Sequence, residues 1–187
     1  MKLRDIVRQY VKNNRCRPND ELRWFRRQPT LRSAIQFAGL AEDRNRMRFS
    51  HQRRLSKASL RSARNSLLGS ESKIAGCKSF DELHTLLGRL LRGSQGIGEL
   101  YIYDTAFRIG AKLDLLPVKV YLHAGTRVGA RALGYDGRLP WIEVSRLPRE
   151  LWRLKPYEIE DVLCIYKDIL GDAKRSLCKP INRRGCN

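Results

Sequence analysis

The sequence RGSQGIGELYIYDTAFRIGAKL, residues 92–113, places a glycine-rich turn directly before an amphipathic helix. Gly96 and Gly98 flank Ile97, so the backbone can turn tightly while the apolar side chain is buried and amide N–H groups face outward. A turn of this kind before a helix N-terminus is suited to binding a phosphate group. A plain turn between two packed helices would explain the glycines equally well.

Apolar residues recur at three- and four-residue steps along the rest of the chain, which predicts an all-α fold. We expect a single compact helical domain over residues 1–187, with a basic helical region at about 1–68 and a glycine-turn core at about 79–171. Ser79 before Glu82 and Pro156 predict helix starts, and Gly134 and Gly171 predict helix stops. The predicted helices are Leu3–Asn13, Leu31–Leu40, Arg44–Leu68, Phe80–Leu91, Glu99–Leu113, Val118–Leu122, Arg127–Leu133 and Tyr157–Leu170.

The charge of the chain predicts a polyanionic partner. Its 187 residues carry 38 Lys and Arg against 19 Asp and Glu, a net charge of +19. Residues 1–64 hold 18 of the cations and five of the acids, so +13 of that charge lies there. Most of these cations are arginines, whose planar guanidinium suits bidentate contact with phosphate. Nucleic acid, either DNA or RNA, is therefore favoured over a membrane surface.

The remaining composition predicts a cytoplasmic protein without a cofactor. Charged residues interrupt the N-terminus, which does not resemble a secretory signal, and no apolar run approaches the length of a membrane span. Five scattered cysteines without a CxxC pair favour reduced thiols. We expect no metal, although Cys178 and Cys186 with a distant His leave a zinc site as the alternative.

Four cations in the predicted helix Arg44–Leu68 follow one another at steps of four, four and three, which would stack them on one helical face. Such a face could follow a phosphate backbone, or it could simply be solvated. We expect Met47, Leu55 and Leu67 to lie in the core. The four cations are Arg53, Lys57, Arg61 and Arg64.

A second glycine turn lies at residues 121–133, YLHAGTRVGARAL. Thr126 is predicted to cap the following helix, which would carry Arg127 and Arg131 on one face toward DNA. Gly125 and Gly129 allow close approach of the backbone, either to a phosphate or to a second helix.

Asp104 is the candidate catalytic group, because it is a carboxylate on a largely apolar helix that follows a phosphate-suited turn. Arg108, four residues later, could instead form a structural ion pair with it. His51 and His123 could take part in acid–base chemistry, or they could be hydrogen-bonded structural residues or contact phosphate. The sequence indicates no catalytic partner for either.

Three acids cluster at a helix start, where carboxylates complement the helix dipole. These acids, Glu158, Glu160 and Asp161, could also hold Mg²⁺ in a nuclease. Their spacing, however, does not place all three on one helix face.

Gly96-Ile-Gly98 before a helix, the pair Asp104-Thr105 and the run from Leu122 to Ala130 resemble pieces of helix-hairpin-helix DNA glycosylases. More specifically, residues 96–134 with 157–166 resemble small bacterial relatives of anti-phage glycosylases that excise glucosylated hydroxymethylcytosine. The resemblance covers about the C-terminal half of the chain. It implies an α-helical enzyme that hydrolyses the N-glycosidic bond of a modified base in duplex DNA and leaves an abasic site.

The resemblance implies roles for individual residues as well. Asp104 would stabilise the positive charge that develops on the deoxyribose, although it follows Gly98 more closely than in the familiar enzymes. Asp136 and Glu143 are the alternative acids if the second turn is the hairpin. No lysine matches that of the bifunctional enzymes, which implies a monofunctional one. Residues to hold the flipped base or fill its gap are Tyr101, Tyr103, His123 and Trp141.

Two other classes of protein remain open. A non-catalytic helix-hairpin-helix module that binds DNA or RNA would need the glycine turns and arginines but no acid. A Mg²⁺-dependent nuclease would use the cluster at Glu158.

Overall fold

The computed structural model describes residues 1–172 and is mostly helical, with a single two-stranded sheet in that range. The predicted all-α fold class is therefore confirmed. The chain forms two compact units. One is contiguous and comprises Cys16–Val118, and the other comprises Met1–Arg15 with the described residues from Lys119 onward. The two regions predicted within one domain, at about 1–68 and about 79–171, do not coincide with these units.

The Cys16–Val118 unit contains six helices among the described residues. Helices α3 and α4 pack together, and α7 packs against α2, α3 and α6. Because α7 is surrounded in this way, residues 105–111 are all buried. The helices of this unit are α2 (Cys16–Arg26), α3 (Leu31–Leu40), α4 (Lys57–Leu68), α5 (Glu71–Ala75), α6 (Phe80–Leu90) and α7 (Glu99–Leu113).

The second unit joins the first helix of the chain to its C-terminal part. Helix α1 has apolar residues at positions 3, 6, 7 and 10, one face of a helix, and all four are fully buried in the unit's core. The strands pair antiparallel, with Val120 opposite Ile142 and Tyr121 opposite Trp141. Its elements are α1 (Leu3–Asn13), β1 (Val120–Tyr121), α8 (Ala124–Ala132), β2 (Trp141–Ile142) and α9 (Pro156–Ile165).

The predicted helix Arg44–Leu68 is wrong in its first half, since α4 begins only at Lys57. The Asp43 carboxylate accepts hydrogen bonds from the backbone N–H groups of Asn45 and Met47, at 2.8 and 2.9 Å, and Arg46 adopts a left-handed φ of 59°. This local turn replaces helical hydrogen bonds. Met47 is 61% exposed, so its placement in the core was also wrong, whereas Leu67 is fully buried as predicted.

Other helix boundaries differ in accuracy. The helices at Leu3–Asn13, Leu31–Leu40 and Glu99–Leu113 are confirmed at both ends, and Ser79 caps α6 by accepting from the Glu82 N–H. The predicted helix Val118–Leu122 is wrong, because this segment contains β1. The helix at Pro156 ends at Ile165, and the chain is helical again from Leu170, so Gly171 does not end a helix.

The glycines of the second turn are explained by the packing of α8 on α9. A Cβ on Gly129 would lie 2.1 Å from the Leu163 carbonyl oxygen, and a Cβ on Gly125 would lie 2.7 Å from the Cys164 Sγ. No side chain fits at Gly129, because the obstructing atom belongs to the backbone. The sequence left open whether these glycines allow the approach of a phosphate or of a second helix. The close packing of α9 on α8 explains why both positions have no side chain.

We predict that Gly129→Ala lowers the free energy of unfolding by about 2 kcal/mol or more, as overpacking does in a filled core. The measurement is urea unfolding followed by circular dichroism. Gly88→Ala is the control, since Gly88 lies within α6 and a Cβ there meets nothing within 4 Å. That variant should be neutral or more stable by up to about 1 kcal/mol. Equal stability of the two variants would contradict the packing explanation.

Candidate active site and nucleic-acid interface

Asp104 lies on α7 and is held by two side chains from a distant part of the sequence. His51 Nε2 and Gln52 Nε2 each lie 2.7 Å from Asp104 Oδ2. Both belong to a short 3-10 turn, Ser50–Gln52. The Asp104 side chain is 14% exposed, and its Oδ1 accepts no hydrogen bond from residues 1–172. Asp104 is therefore an oriented carboxylate with one oxygen available.

Arg108 supports this arrangement from the interior. It is 1% exposed, and its Nε donates to Glu21 Oε1 at 2.6 Å. Its Nη1 donates to Gln52 Oε1 at 3.1 Å, and its guanidinium lies 3.8 Å from the centre of the Phe49 ring. Arg108 Nη2 is 3.9 Å from Asp104 Oδ2. The predicted pairing of Arg108 with Asp104 is thus present as a longer contact within a network whose shortest ion pair goes to Glu21.

The buried Gln52 connects these groups through both ends of its amide. Its Oε1 accepts from Arg108, and its Nε2 donates to Asp104. Because Arg108 can only donate and a carboxylate can only accept, the orientation of this amide is fixed. Asp104 and His51 were identified as candidates from the sequence, but their contact was not predicted, and Gln52 was missed altogether. Contacts across more than 50 residues leave no local pattern in the sequence.

The turn that carries His51 and Gln52 belongs to a strongly basic stretch. Between Asp43 and Glu71 the chain has eight Arg and Lys and no acid. We call residues 44–64, which contain all eight, the basic segment. Arg48 and Arg64 are half-buried, and Arg64 donates to Asn65 Oδ1 at 2.8 Å. The exposed cations of the basic segment are Arg44, Arg46, Arg53, Arg54, Lys57 and Arg61.

The predicted row of four cations is shortened by the later start of α4. Lys57, Arg61 and Arg64 lie on this helix at steps of four and three, whereas Arg53 precedes it and follows the 3-10 turn. Arg53 is exposed but does not continue the helical row. Lys57 and Arg61 are the two exposed members that remain on α4.

The glycine turn at residues 96–98 joins α6 to α7 and is open to solvent. Gly96 has a φ of 77°, in the left-handed region that favours glycine, and Gly98 is the N-cap of α7. Both glycines are exposed, and Ile97 is half-buried. The Ile97 N–H donates to the Ser94 carbonyl oxygen at 3.1 Å, so the two glycines are the surface positions of this turn.

The second turn differs from the prediction in its cap. His123, not Thr126, is the N-cap of α8, and Thr126 is fully buried with its hydroxyl donating to the His123 carbonyl oxygen at 3.0 Å. Thr126 therefore has no surface for a DNA contact. Arg127 Nη1 donates to the carbonyl oxygens of Gly137 and Leu139, at 2.7 and 3.0 Å, while Arg131 is exposed.

Three of the four residues proposed for a base pocket are buried, namely Tyr101, Tyr103 and His123. The two tyrosines are each 3% exposed, and the Tyr101 hydroxyl donates to the Gly39 carbonyl oxygen at 2.6 Å. Burial raises the pKa of Tyr101 to about 12. These two tyrosines are core residues, so their assignment as base-contacting residues was wrong. Trp141 is exposed, with the Lys119 ammonium 4.1 Å from its ring.

The acids near Glu158 each bind a different partner. Glu158 accepts two hydrogen bonds from Arg15, at 2.7 and 3.1 Å, and the Tyr10 hydroxyl donates to Asp161 at 2.9 Å. The buried His123 Nε2 lies 2.5 Å from Glu160 Oε1. Within residues 1–172 no group of three His, Cys, Asp or Glu could hold a metal ion. The three acids therefore do not form the carboxylate cluster on which the nuclease interpretation depended. Cys178 and Cys186, the cysteines of the alternative zinc site, lie outside the described residues.

The two alternative acids lie in less constrained surroundings. Asp136 Oδ1 accepts from the Arg138 N–H at 2.9 Å in an exposed turn, and Glu143 precedes a 3-10 turn at Val144–Arg146. Neither has a network comparable to that of Asp104.

Comparison of the chain with protein-family models, with characterised proteins and with solved structures finds no match. None of the helices in residues 1–172 is long and apolar enough to cross a bilayer.

We predict that Arg108→Ala lowers the free energy of unfolding by about 3 kcal/mol or more, because removing one member of a buried ion pair leaves the other members unpaired. The control is Arg26→Ala, which breaks the exposed pair with Asp114 at 2.9 Å and should change stability by less than about 1 kcal/mol. Chemical unfolding of the two variants measures both. A loss at Arg108 no larger than that at Arg26 would mean that the buried network contributes little.

Proposed function

We propose that this protein is a DNA glycosylase that binds duplex DNA through the basic segment and uses Asp104 to hydrolyse the N-glycosidic bond of a modified base. A glucosylated hydroxymethylcytosine is the base that the family resemblance suggests, with defence against phage as the role. The observation that carries the proposal is the oriented Asp104 carboxylate, bonded to two residues of the basic segment.

Electrostatics support the binding step. Six exposed cations lie within residues 44–64, and no acid in that stretch offsets their charge. Neutralisation of phosphates by such cations releases counterions and provides affinity without reading the base sequence. The exposed backbone of the turn at Gly96 and Gly98 offers a further contact to phosphate.

The chemistry of bond cleavage supports a role for Asp104. Departure of the base develops positive charge on the deoxyribose ring, which a fixed carboxylate stabilises. His51 and Gln52 both bond to Oδ2, so the carboxylate is held before substrate arrives. A prepositioned anion requires no reorganisation during the reaction. Trp141, the exposed aromatic among the four residues predicted for base contact, belongs to the other unit, so the proposal for Asp104 does not rest on it.

A non-catalytic module that binds DNA or RNA is the second candidate. It is favoured by the burial of Tyr101 and Tyr103, which removes two of the residues expected to hold a base. Such a module would use the same basic segment, and Asp104 would then serve only to hold the Ser50–Gln52 turn on α7.

We predict that replacing Arg53, Arg54, Lys57 and Arg61 together by Gln weakens binding to a short DNA duplex and reduces its salt dependence. The slope of the logarithm of the association constant against the logarithm of the salt concentration is negative. Its magnitude should decrease by roughly 0.9 for each phosphate that is no longer neutralised. Fluorescence anisotropy of a labelled duplex, measured across a series of salt concentrations, gives both the affinity and the slope. The control replaces four exposed arginines of the other unit, Arg138, Arg146, Arg149 and Arg153, which lowers the net charge equally. Equal effects would show that only total charge matters.

Activity is tested with duplexes that contain cytosine, hydroxymethylcytosine or its glucosylated form, without added metal. Wild-type protein should release a modified base and leave alkali-labile sites. Asp104→Asn should lower the single-turnover rate by about 100-fold or more while DNA affinity is unchanged. Asp136→Asn and Glu143→Gln are the controls and should keep full activity. Tight, salt-sensitive binding without base release from any duplex would leave the binding module as the function.

A further inference from the structure

We infer that His51 is a second catalytic residue, which accepts a proton from the attacking water in the hydrolysis proposed for Asp104. This inference rests on the proposed glycosylase function. It assigns to a residue of the basic segment a chemical role that neither the charge of that segment nor the family resemblance indicates.

The contact with Asp104 determines which nitrogen of His51 can act. A carboxylate accepts hydrogen bonds, so the 2.7 Å contact places the imidazole proton on Nε2. In the neutral ring Nδ1 then carries a lone pair and is the basic atom. Nδ1 makes no hydrogen bond with residues 1–172, and the His51 side chain is 41% exposed. An imidazole with one nitrogen oriented by a carboxylate and the other without a partner in the described part of the chain has the arrangement of a general base.

The surrounding groups hold the pair in place. Gln52 donates to the same Oδ2 as His51, and the Gln52 amide is in turn fixed by Arg108. Glu21 and the Phe49 ring hold Arg108, and the Phe49 and His51 rings stack with centroids 6.4 Å apart. Gln52 and Arg108 are positioning residues in this scheme.

The network that includes the imidazole holds charges of both signs. Asp104 of α7 contacts His51, Arg108 of α7 contacts Asp104, and Glu21 of α2 contacts Arg108. Arg53 and Arg54 follow His51 in the chain. Asp104 is the one that bonds directly to the ring, at 2.7 Å from Nε2.

The proton balance of the step is complete without a metal or other co-reactant. The bond between C1′ and the base nitrogen breaks, and its electron pair leaves with the base. A water oxygen forms the new bond to C1′, and one of its protons passes to His51 Nδ1. The imidazolium then returns the proton to the departed base or to solvent, which regenerates the enzyme. Asp104 stabilises both the sugar cation and the imidazolium, so one carboxylate serves both charges.

The first test is independent of activity. Nitrogen-15 NMR of the imidazole rings should show His51 as the Nε2–H tautomer at neutral pH in the wild-type protein. Asp104→Ala should return His51 to a mixture of tautomers and leave the His84 signals unchanged. A ring found as the Nδ1–H tautomer, or one unaffected by Asp104→Ala, would overturn the inference.

The second test measures single-turnover base release against pH. His51→Gln should lower the rate by about 100-fold or more and change the dependence of the rate on acid pH that we expect of the wild-type protein. His84→Gln, the other imidazole of the same unit, should keep the wild-type rate and profile. Added imidazole should partly restore a His51→Ala variant. Circular dichroism confirms that the variants are folded.

The outcomes for the two proposals are distinguishable. Base release by wild type together with a full rate in His51→Gln would overturn the role of His51 and leave the glycosylase in place. An absence of release from every duplex would overturn both, even with the expected tautomer, because there would be no reaction for His51 to assist.

Discussion

The buried guanidinium of Arg108 is the group on which the polar centre of the Cys16–Val118 unit depends. A charge removed from water costs several kcal/mol unless partners replace its hydration, and here Glu21, Gln52 and the Phe49 ring do so. Satisfying Arg108 brings α2 and the Ser50–Gln52 turn onto α7. Once the Gln52 side chain is fixed in this way, its Nε2 donates a hydrogen bond to Asp104, and the neighbouring His51 imidazole contacts the same carboxylate. The candidate site is therefore a consequence of how one buried charge is paired.

The basic segment and the carboxylate have different structural requirements. Cations that bind phosphate need exposure and little precision, and most of those in residues 44–64 lie at the surface. A carboxylate that acts on a bond must be held in one orientation, which needs a packed helix and partners of fixed geometry. The Ser50–Gln52 turn meets both needs, because it continues into the exposed Arg53 and Arg54 while Gln52 is buried. In the proposed glycosylase, affinity and catalysis would then depend on different residues of this turn.

Local patterns predicted much of the helical fold and little of the site. Capping at Ser79, the apolar spacing of α1 and the glycine after α8 depend on residues within a few positions, so they are readable from sequence. The start of α4 was missed because the Asp43 side chain captures backbone N–H groups at Asn45 and Met47. The tyrosines of α7 were assigned to a ligand because residue type alone does not tell a core aromatic from an exposed one. His51 and Gln52 meet Asp104 only through the tertiary fold.

The separation of α1 from the rest of its unit has a consequence for folding kinetics. The core that holds Leu3, Ile6 and Tyr10 is completed by residues beyond Lys119, and the Tyr10–Asp161 hydrogen bond joins positions 151 residues apart. The Cys16–Val118 unit is contiguous, so its internal contacts span shorter separations, such as the 87 residues between Glu21 and Arg108. Contacts of long sequence separation form slowly, because the entropy of loop closure is given up before any packing is gained. We therefore expect two phases in refolding, a fast one for the contiguous unit and a slower one as α1 docks.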